Sequence, residues 1–185
     1  MKVIAILGSP RKEGNSAVLA QEALKGAASA GAETGIFFAN ELNIKGCQAC
    51  YACKKSGKCA IQDDMTGLYD AITKADAILF ASPIYMWGMT AQLKLIIDRL
   101  YAYFNLDHSS RLPKNKKVGL IFTQGNPDQS SFQPYMEQVA KLLQFLGFGE
   151  TRTLHGYGWR EIDCAKRDQS MLKSAFDLGC QLAKS

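Results

Sequence analysis

The sequence predicts an α/β protein, a mostly parallel five-stranded sheet with helices on both faces. Three observations carry this. Short continuous apolar runs, at residues 3–7 and 77–81, lack the alternation of a half-exposed strand and stop at Gly8 and Ser82, as buried parallel strands do. Between such runs lie stretches with helical spacing, the clearest being Leu93, Ile96, Ile97 and Leu100 on one apolar stripe. Finally, 185 residues, 47% of them hydrophobic, suit one domain over residues 1–185 that buries about 70% of its unfolded surface without a disulfide or metal.

In chain order, the run at 3–7 is the first strand. A helix over 17–30 follows, with Ser16 or Asn15 as its N-cap and Gly31 as its stop. Residues 34–39 form the second strand, 46–58 a cysteine-rich insertion and 65–74 a helix. After the strand at 77–81 come a helix at 90–104 and a strand at 117–123. The next helix, 132–146, turns Phe132, Tyr135, Met136, Val139, Leu142, Leu143 and Leu146 inward and stops at Gly147 and Gly149. A short fifth strand at 151–154 and a helix at 165–183, carrying Met171, Ala175, Leu178 and Leu182, complete the chain. Crossovers of this kind are right-handed.

The charge balance, 22 Lys plus Arg against 17 Asp plus Glu, gives a net +5. That is too weak to argue for nucleic acid and suits affinity for small anions. No apolar run approaches the 18 residues of a membrane span, and residues 3–7 are too short for a signal peptide. The expectation is a soluble cytoplasmic protein whose six cysteines are reduced thiols, metal ligands or redox groups.

In doubly wound sheets a ligand sits outside the carboxyl ends of the strands. The first strand runs into GSPRKEGNS, residues 8–16, and then a helix. Small residues let the backbone approach a ligand, Ser9, Asn15 and Ser16 offer side-chain donors, Arg11 adds charge, and a helix N-terminus favours an anion. Neither the Gly-x4-Gly-Lys-Ser/Thr nor the Gly-x-Gly-x-x-Gly pattern is present, which argues against nucleotide hydrolysis and dinucleotide binding. A monophosphate is the better fit; on the residues alone an ordinary polar loop stays equally open.

The loop GSPRKEGNS, the segment SPIYMWG with its continuation TAQLKLIIDRL, and TQGN, in that order, resemble the NAD(P)H-dependent FMN reductase family of the flavodoxin-like fold. The segment GCQACYACKKSGKCAIQDDM is similar to the iron–sulfur flavoprotein branch of that family. The resemblance spans nearly the whole chain and weakens after about residue 149. It implies strand order 2-1-3-4-5 and FMN at the switch point. It also implies that Ser9, Arg11, Asn15 and Ser16 hold the FMN phosphate, that Pro83, Ile84, Tyr85, Met86, Trp87 and Gly88 lie along the ribityl chain and ring, and that Thr123, Gln124 and Gly125 meet the ring's polar edge. The residues agree in kind, since Tyr85 and Trp87 offer flat apolar surface; packing in a core or interface is the plainer alternative. Chemistry then belongs to the flavin, and no side-chain acid, base or nucleophile is expected. His108 and His155, the two histidines, sit in no recognisable triad.

Cys47, Cys50, Cys53 and Cys59 form C-x2-C-x2-C-x5-C. The last gap and Ala60 depart from the bacterial ferredoxin run, while the spacing matches the iron–sulfur flavoprotein branch. Three readings stay open: a 4Fe-4S cluster, thiols that are free or form a redox disulfide, and a four-thiolate zinc. Lys45, Lys54, Lys55 and Lys58 surround the segment and favour thiolates or an anionic cluster; a solvated loop face is the alternative. Cys164 and Cys180 read as small packing residues, and Asp63 and Asp64 as caps of the following helix.

Two functions follow. One is an enzyme in which a nicotinamide reduces bound FMN, which then reduces free flavin, a quinone or a similar small-molecule acceptor. The other is an electron carrier that exchanges single electrons between a ferredoxin-like partner and FMN through the cysteine site. A thiol-based regulatory module that binds FMN without turnover has no positive support. The resemblance also implies a homodimer or homotetramer, with residues 100–104 as a candidate contact surface unless that helix end packs inside one subunit.

Overall fold

The computed structural model describes residues 1–184. Its parallel sheet consists of β1 (Lys2–Leu7), β2 (Glu33–Phe38), β3 (Ala77–Tyr85), β5 (Lys117–Thr123) and β6 (Thr151–Gly156), in the order β2-β1-β3-β5-β6. A two-residue strand, β4 (Gly88–Met89), folds back antiparallel on the end of β3. Setting that hairpin aside, this is the expected 2-1-3-4-5 order.

Alternation along the strands builds two cores. Ile4, Ile6, Ile78, Phe80, Val118, Leu120 and Phe122 face one side. There they meet α3 (Met65–Lys74), α4 (Ala91–Arg99) and α5 (Gln133–Phe145). Val3, Ala5, Leu7, Ala77, Leu79, Ala81 and Ile121 face the other, against α1 (Asn15–Ser29) and α7 (Gln169–Leu182). The second core is rich in alanine, which lets α1 and α7 approach closely. At their crossing a Cβ on Gly26 would overlap the Phe176 backbone and one on Gly179 the Ala23 carbonyl. Cys180 packs beside this crossing, its Sγ 3.2 Å from the Gly26 oxygen.

Several boundaries differ from expectation, each for a local reason. Helix α1 begins at Asn15 with Gly14 as N-cap and no side-chain cap. Ser16 is buried, and Asn15 spends its amide on the Glu161 oxygen and the Ala165 N–H, at 2.7 and 2.9 Å. The helix expected over 90–104 changes to a 3₁₀ turn (Leu100–Tyr103) after Arg99. Leu100, Ala102, Tyr103 and Phe104 are buried within the subunit, so Tyr101 alone of that candidate contact surface is exposed. Leu142 is 40% exposed rather than inward. The last helix is interrupted at Asp168 (φ −92°, ψ 89°) into α6 (Cys164–Arg167) and α7, and the Asp168 carboxylate caps α7 by accepting from the Met171 N–H. No helix is long and apolar enough to cross a membrane among the described residues.

The close crossing yields a paired prediction. Gly179→Ala forces α1 and α7 apart and costs about 1–3 kcal/mol or more of unfolding free energy. Gly67→Ala, in α3 with nothing within 4 Å of the added Cβ, gains about 1 kcal/mol from helix propensity. Urea unfolding of both variants measures the two effects.

Candidate active site and the cysteine segment

The carboxyl ends of β1, β3 and β5 open into a cleft of about 300 Å³. Its first wall is the β1–α1 loop. Gly8 admits no side chain, since a Cβ would come within 2.6 Å of Thr90 Oγ1 and 2.7 Å of Leu93 Cβ. That contact exists because Thr90 Oγ1 donates to the Gly8 oxygen at 2.8 Å while the Thr90 N–H donates to Ser82 Oγ at 3.0 Å. The start of α4 is thereby locked to the ends of β1 and β3. Beyond it, Ser9 Oγ accepts from the Arg11 N–H at 3.1 Å and tightens the loop. The Arg11 side chain is exposed, and the N-terminus of α1 is left without a side-chain cap.

The opposite wall is the β5–α5 loop. Gln124 donates both amide hydrogens, to the Asn126 and Asp128 carbonyls at 3.0 and 2.8 Å. Its Oε1 lies 2.9 Å from His155 Nε2 and so accepts the Nε2–H of that ring. Burial pushes the His155 pKa down, keeping the imidazole neutral.

Ten of the thirteen residues expected at the flavin line this cleft: Ser9, Arg11, Asn15, Ser16, Pro83, Ile84, Tyr85, Thr123, Gln124 and Gly125. Met86, Trp87 and Gly88 stand outside its lining. They form the tip of the β3–β4 hairpin, where Met86 and Trp87 both have positive φ (42° and 68°) as a type I′ turn demands. This turn directs them to solvent, 89% and 74% exposed, and Gly88 packs beside Tyr135. The structure adds Trp159, Arg160, Glu161 and Ile162, from the loop after β6. That loop is tied in by the Trp159 N–H to the Gln124 oxygen at 2.9 Å and the Gly158 N–H to the Asn126 oxygen at 2.8 Å. The signal in the sequence was Gly156, which ends the last strand, and Gly158 and Trp159 directly after it, where the switch-point rule places loops in the site.

The cysteine segment lies along a different face. Arg99, at the end of α4, pairs with Asp63 through Nη1–Oδ2 at 2.7 Å and Nη2–Oδ1 at 3.1 Å, with side chains 1% and 2% exposed. Arg99 Nη1 also donates to the Lys45 oxygen at 2.7 Å and Nη2 to the Ile61 oxygen at 3.4 Å, and Asp63 accepts from the Lys45 N–H at 2.9 Å. One buried pair therefore holds both ends of the segment. Burial is the largest influence and opposes the Arg99 charge, but Asp63 and the neighbouring Tyr69 together outweigh it and hold the guanidinium above its ordinary pKa. Burial likewise opposes the Asp63 charge, and the Arg99 and backbone donors outweigh it, leaving the carboxyl below its usual range. Asp63 thus does more than cap α3, although it also accepts from the Met65 N–H at 3.1 Å; Asp64 turns instead to the Asn43 N–H at 2.7 Å.

The middle of the segment is held as well. Arg111 Nη2 donates to the Cys53 oxygen at 3.0 Å. Lys54 Nζ donates to the Tyr101 and Phe104 oxygens, both at 2.8 Å, and sits 3.4 Å from the Tyr101 ring centroid. Ala49 and Tyr51 adopt positive φ (50° and 58°) on either side of Cys50, before the short helix α2 (Ala52–Ser56). All six cysteines are free; Cys47 and Cys50 are exposed, and Cys53 and Cys59 are half-buried. Among the described residues no three His, Cys, Asp or Glu side chains converge as a metal site.

Comparison with known proteins decides the family. A family model described as NADPH-dependent FMN reductase matches residues 1–153. The chain belongs to that family. An iron–sulfur flavoprotein of Methanocaldococcus jannaschii is 43% identical, covering 100% of this chain and 96% of the relative. One of Methanosarcina thermophila is 40% identical over 88% of this chain and 85% of its own length. Among solved structures, an NAD(P)H:quinone oxidoreductase from Methanothermobacter marburgensis superposes with a TM-score of 0.80 at 17% identity, covering 100% of this chain and 98% of the other. An FMN-dependent NADH-azoreductase of Bacillus anthracis, solved in complex with FMN, gives 0.72 at 11% identity over the whole of both chains. As a member of the FMN reductase family the chain is an oxidoreductase, and FMN and NAD(P)H are the family's cofactors.

Two predictions rest on this geometry. Asp63→Asn leaves a buried guanidinium unpaired and costs about 3–5 kcal/mol, measured by urea unfolding. The stability Asp63 supplies to the native protein is full above the ordinary carboxylate range and disappears as the pH falls through its lower folded value. For His155 the depressed folded pKa stabilises fully above the usual histidine range, and this stability is lost as the pH falls through that range. His155→Gln flattens the slope of unfolding free energy between about pH 8 and pH 5.

Proposed function

We propose that the cleft holds FMN and that the protein uses it to pass reducing equivalents from NAD(P)H to free flavin, a quinone or a similar flat acceptor. The observation that carries this is the pairing of an anion cradle at one end of the cleft with a polar loop at the other. Ser9, Arg11, Ser16 and the uncapped N-terminus of α1 suit a phosphate. Asn15 positions the loop of Glu161 and Ala165 against that cradle. Pro83, Ile84 and Tyr85 flank the middle, with Trp159 across from them as a further flat surface, and Thr123, Gln124 and Gly125 meet the ring's polar edge. FMN, when bound, supplies the redox chemistry. The chain supplies phosphate binding, orientation of the ring, and a Gln124 amide fixed by His155. Neither histidine lines the cleft, so no side-chain acid or base is assigned.

Tyr85, Met86 and Trp87 rise exposed beside the cleft mouth and suit a subunit contact in a homodimer or homotetramer, which gel filtration measures against 20.3 kDa for one chain. Six free cysteines fit a reducing cytoplasm.

A second reading is favoured by the cysteine segment and by relatives named iron–sulfur flavoproteins. Four thiols are the donor type a 4Fe-4S cluster takes, and a cluster on Cys47, Cys50, Cys53 and Cys59 would draw together side chains that do not converge among the described residues. Positive φ at Ala49 and Tyr51 is the kind of backbone strain that collects at functional sites. The chain would then exchange electrons with a ferredoxin-like partner.

Arg11→Gln weakens FMN binding about tenfold to a hundredfold, read by flavin fluorescence titration. Protein loaded with FMN and bleached by neither NADH nor NADPH overturns the enzyme reading. Iron and acid-labile sulfide near four per chain after oxygen-free purification support the cluster; their absence, or zinc in their place, removes it.

A further inference from the structure

The pole of the sheet opposite the cleft carries a second concavity. A cavity of about 320 Å³ opens at the amino ends of β3 and β5, walled by Lys74, Lys114, Lys116, Lys117 and Lys184, with Asp76 its one acidic residue. The whole chain carries only +5, so most of that excess is concentrated here.

Lys116 is the decisive member. It is 4% exposed, and its Nζ donates to the Thr73 oxygen at 2.8 Å and to the Ala75 oxygen. These carbonyls close the end of α3. They satisfy two of three ammonium hydrogens and fix the head group in place. They do not neutralise its charge. Among the described residues Lys74, Lys114 and Lys116 enter no ion pair. Asp76 is occupied by the Lys2 N–H at 2.7 Å. A buried charge without a counter-charge is costly, and the contrast within this molecule is direct: Arg99, the other buried cation, has Asp63. Burial pushes the Lys116 pKa down, with Asp76 opposing more weakly, so an anion at this place relieves a cost the fold already carries.

We propose that this cavity binds a compact phosphate-rich anion, a diphosphate group that is either inorganic or carried on a nucleotide. Its size is that of a small-molecule site, and lysines act as point charges toward phosphate oxygens. A fixed ammonium at the back and the exposed Lys74 and Lys114 at the rim match several negative charges held close together. The site is distinct from the flavin cleft and does not depend on how that cleft is read.

The test is calorimetric titration of FMN-saturated protein with inorganic pyrophosphate and, separately, adenosine diphosphate, with amide NMR spectra to locate the ligand. Saturable binding that weakens with added salt, with shifts at residues 74–76 and 114–117, is the expected result. Arg11→Gln, which removes one of the two arginines of the flavin cleft, retains it when the cleft is kept saturated with excess FMN. The double variant Lys74→Gln/Lys114→Gln, both side chains exposed, weakens it by about tenfold or more. Equal affinity for the two probes identifies the inorganic group as sufficient; tighter binding of the nucleotide identifies a carried diphosphate. Absence of saturable binding, or binding that Arg11→Gln abolishes and the lysine double variant leaves intact, overturns the proposal.

Discussion

A buried guanidinium–carboxylate pair, Arg99 with Asp63, links the two chemical regions of this protein. Arg99 ends the helix that begins at Thr90, and Thr90 holds the Gly8 carbonyl and, through Ser82, the end of β3. One helix of nine residues therefore fastens the β1–α1 loop at its amino end and the cysteine segment at its carboxyl end. The pair tolerates burial because each partner keeps further hydrogen bonds: Arg99 to the Lys45 and Ile61 oxygens, Asp63 from the Lys45 and Met65 N–H groups. Such a pair is weak evidence for net stability. Its structural consequence is to hold both ends of a cysteine-bearing loop against the helix layer.

The sheet supplies the second constraint. Buried on both faces, its central strands send alternate side chains into two different cores. On the α1–α7 side the residues are small, so helices sit close and glycines occupy the crossing. On the other side larger residues fill deeper space beneath α3, α4 and α5. Because all five long strands run parallel, their carboxyl ends gather on one edge, and the loops of β1, β3, β5 and β6 meet there. The opposite edge gathers lysines instead. The polarity of the sheet thus separates a cleft of mixed chemistry from a strongly basic concavity.

The cleft also shows how a side chain outside the site shapes it. His155 does not line the cleft; it accepts no substrate role from its position. Through Nε2 it completes the bonding of Gln124, whose amide then organises the carbonyls of Asn126 and Asp128. The Gln124 carbonyl receives the Trp159 N–H, so two loops from neighbouring strands are joined directly.

Much of this was written in local pattern. The apolar runs determined which segments are parallel strands, and the ends of α3 and β5 fall where composition placed them, because a buried strand and an amphipathic helix each need only their own residues to be recognised. The loop from Gly8 to Ser16 was legible as a strand-to-helix turn because a buried strand that stops at a glycine must turn there, and in a doubly wound sheet such a turn borders the cleft at the strand's carboxyl end. Tertiary structure decided the rest. Asn15 left its expected capping role because Glu161 and Ala165, far away in sequence, take its amide. Met86 and Trp87 were directed to solvent by a hairpin whose turn type requires positive φ, a demand that neither residue announces. Asp63 became the partner of Arg99, and Lys116 a buried cation without a counter-charge, only when helix α3 and strand β5 were packed together. Pairing between distant segments leaves no trace in spacing, because its energy arises from desolvation that exists only in the folded chain.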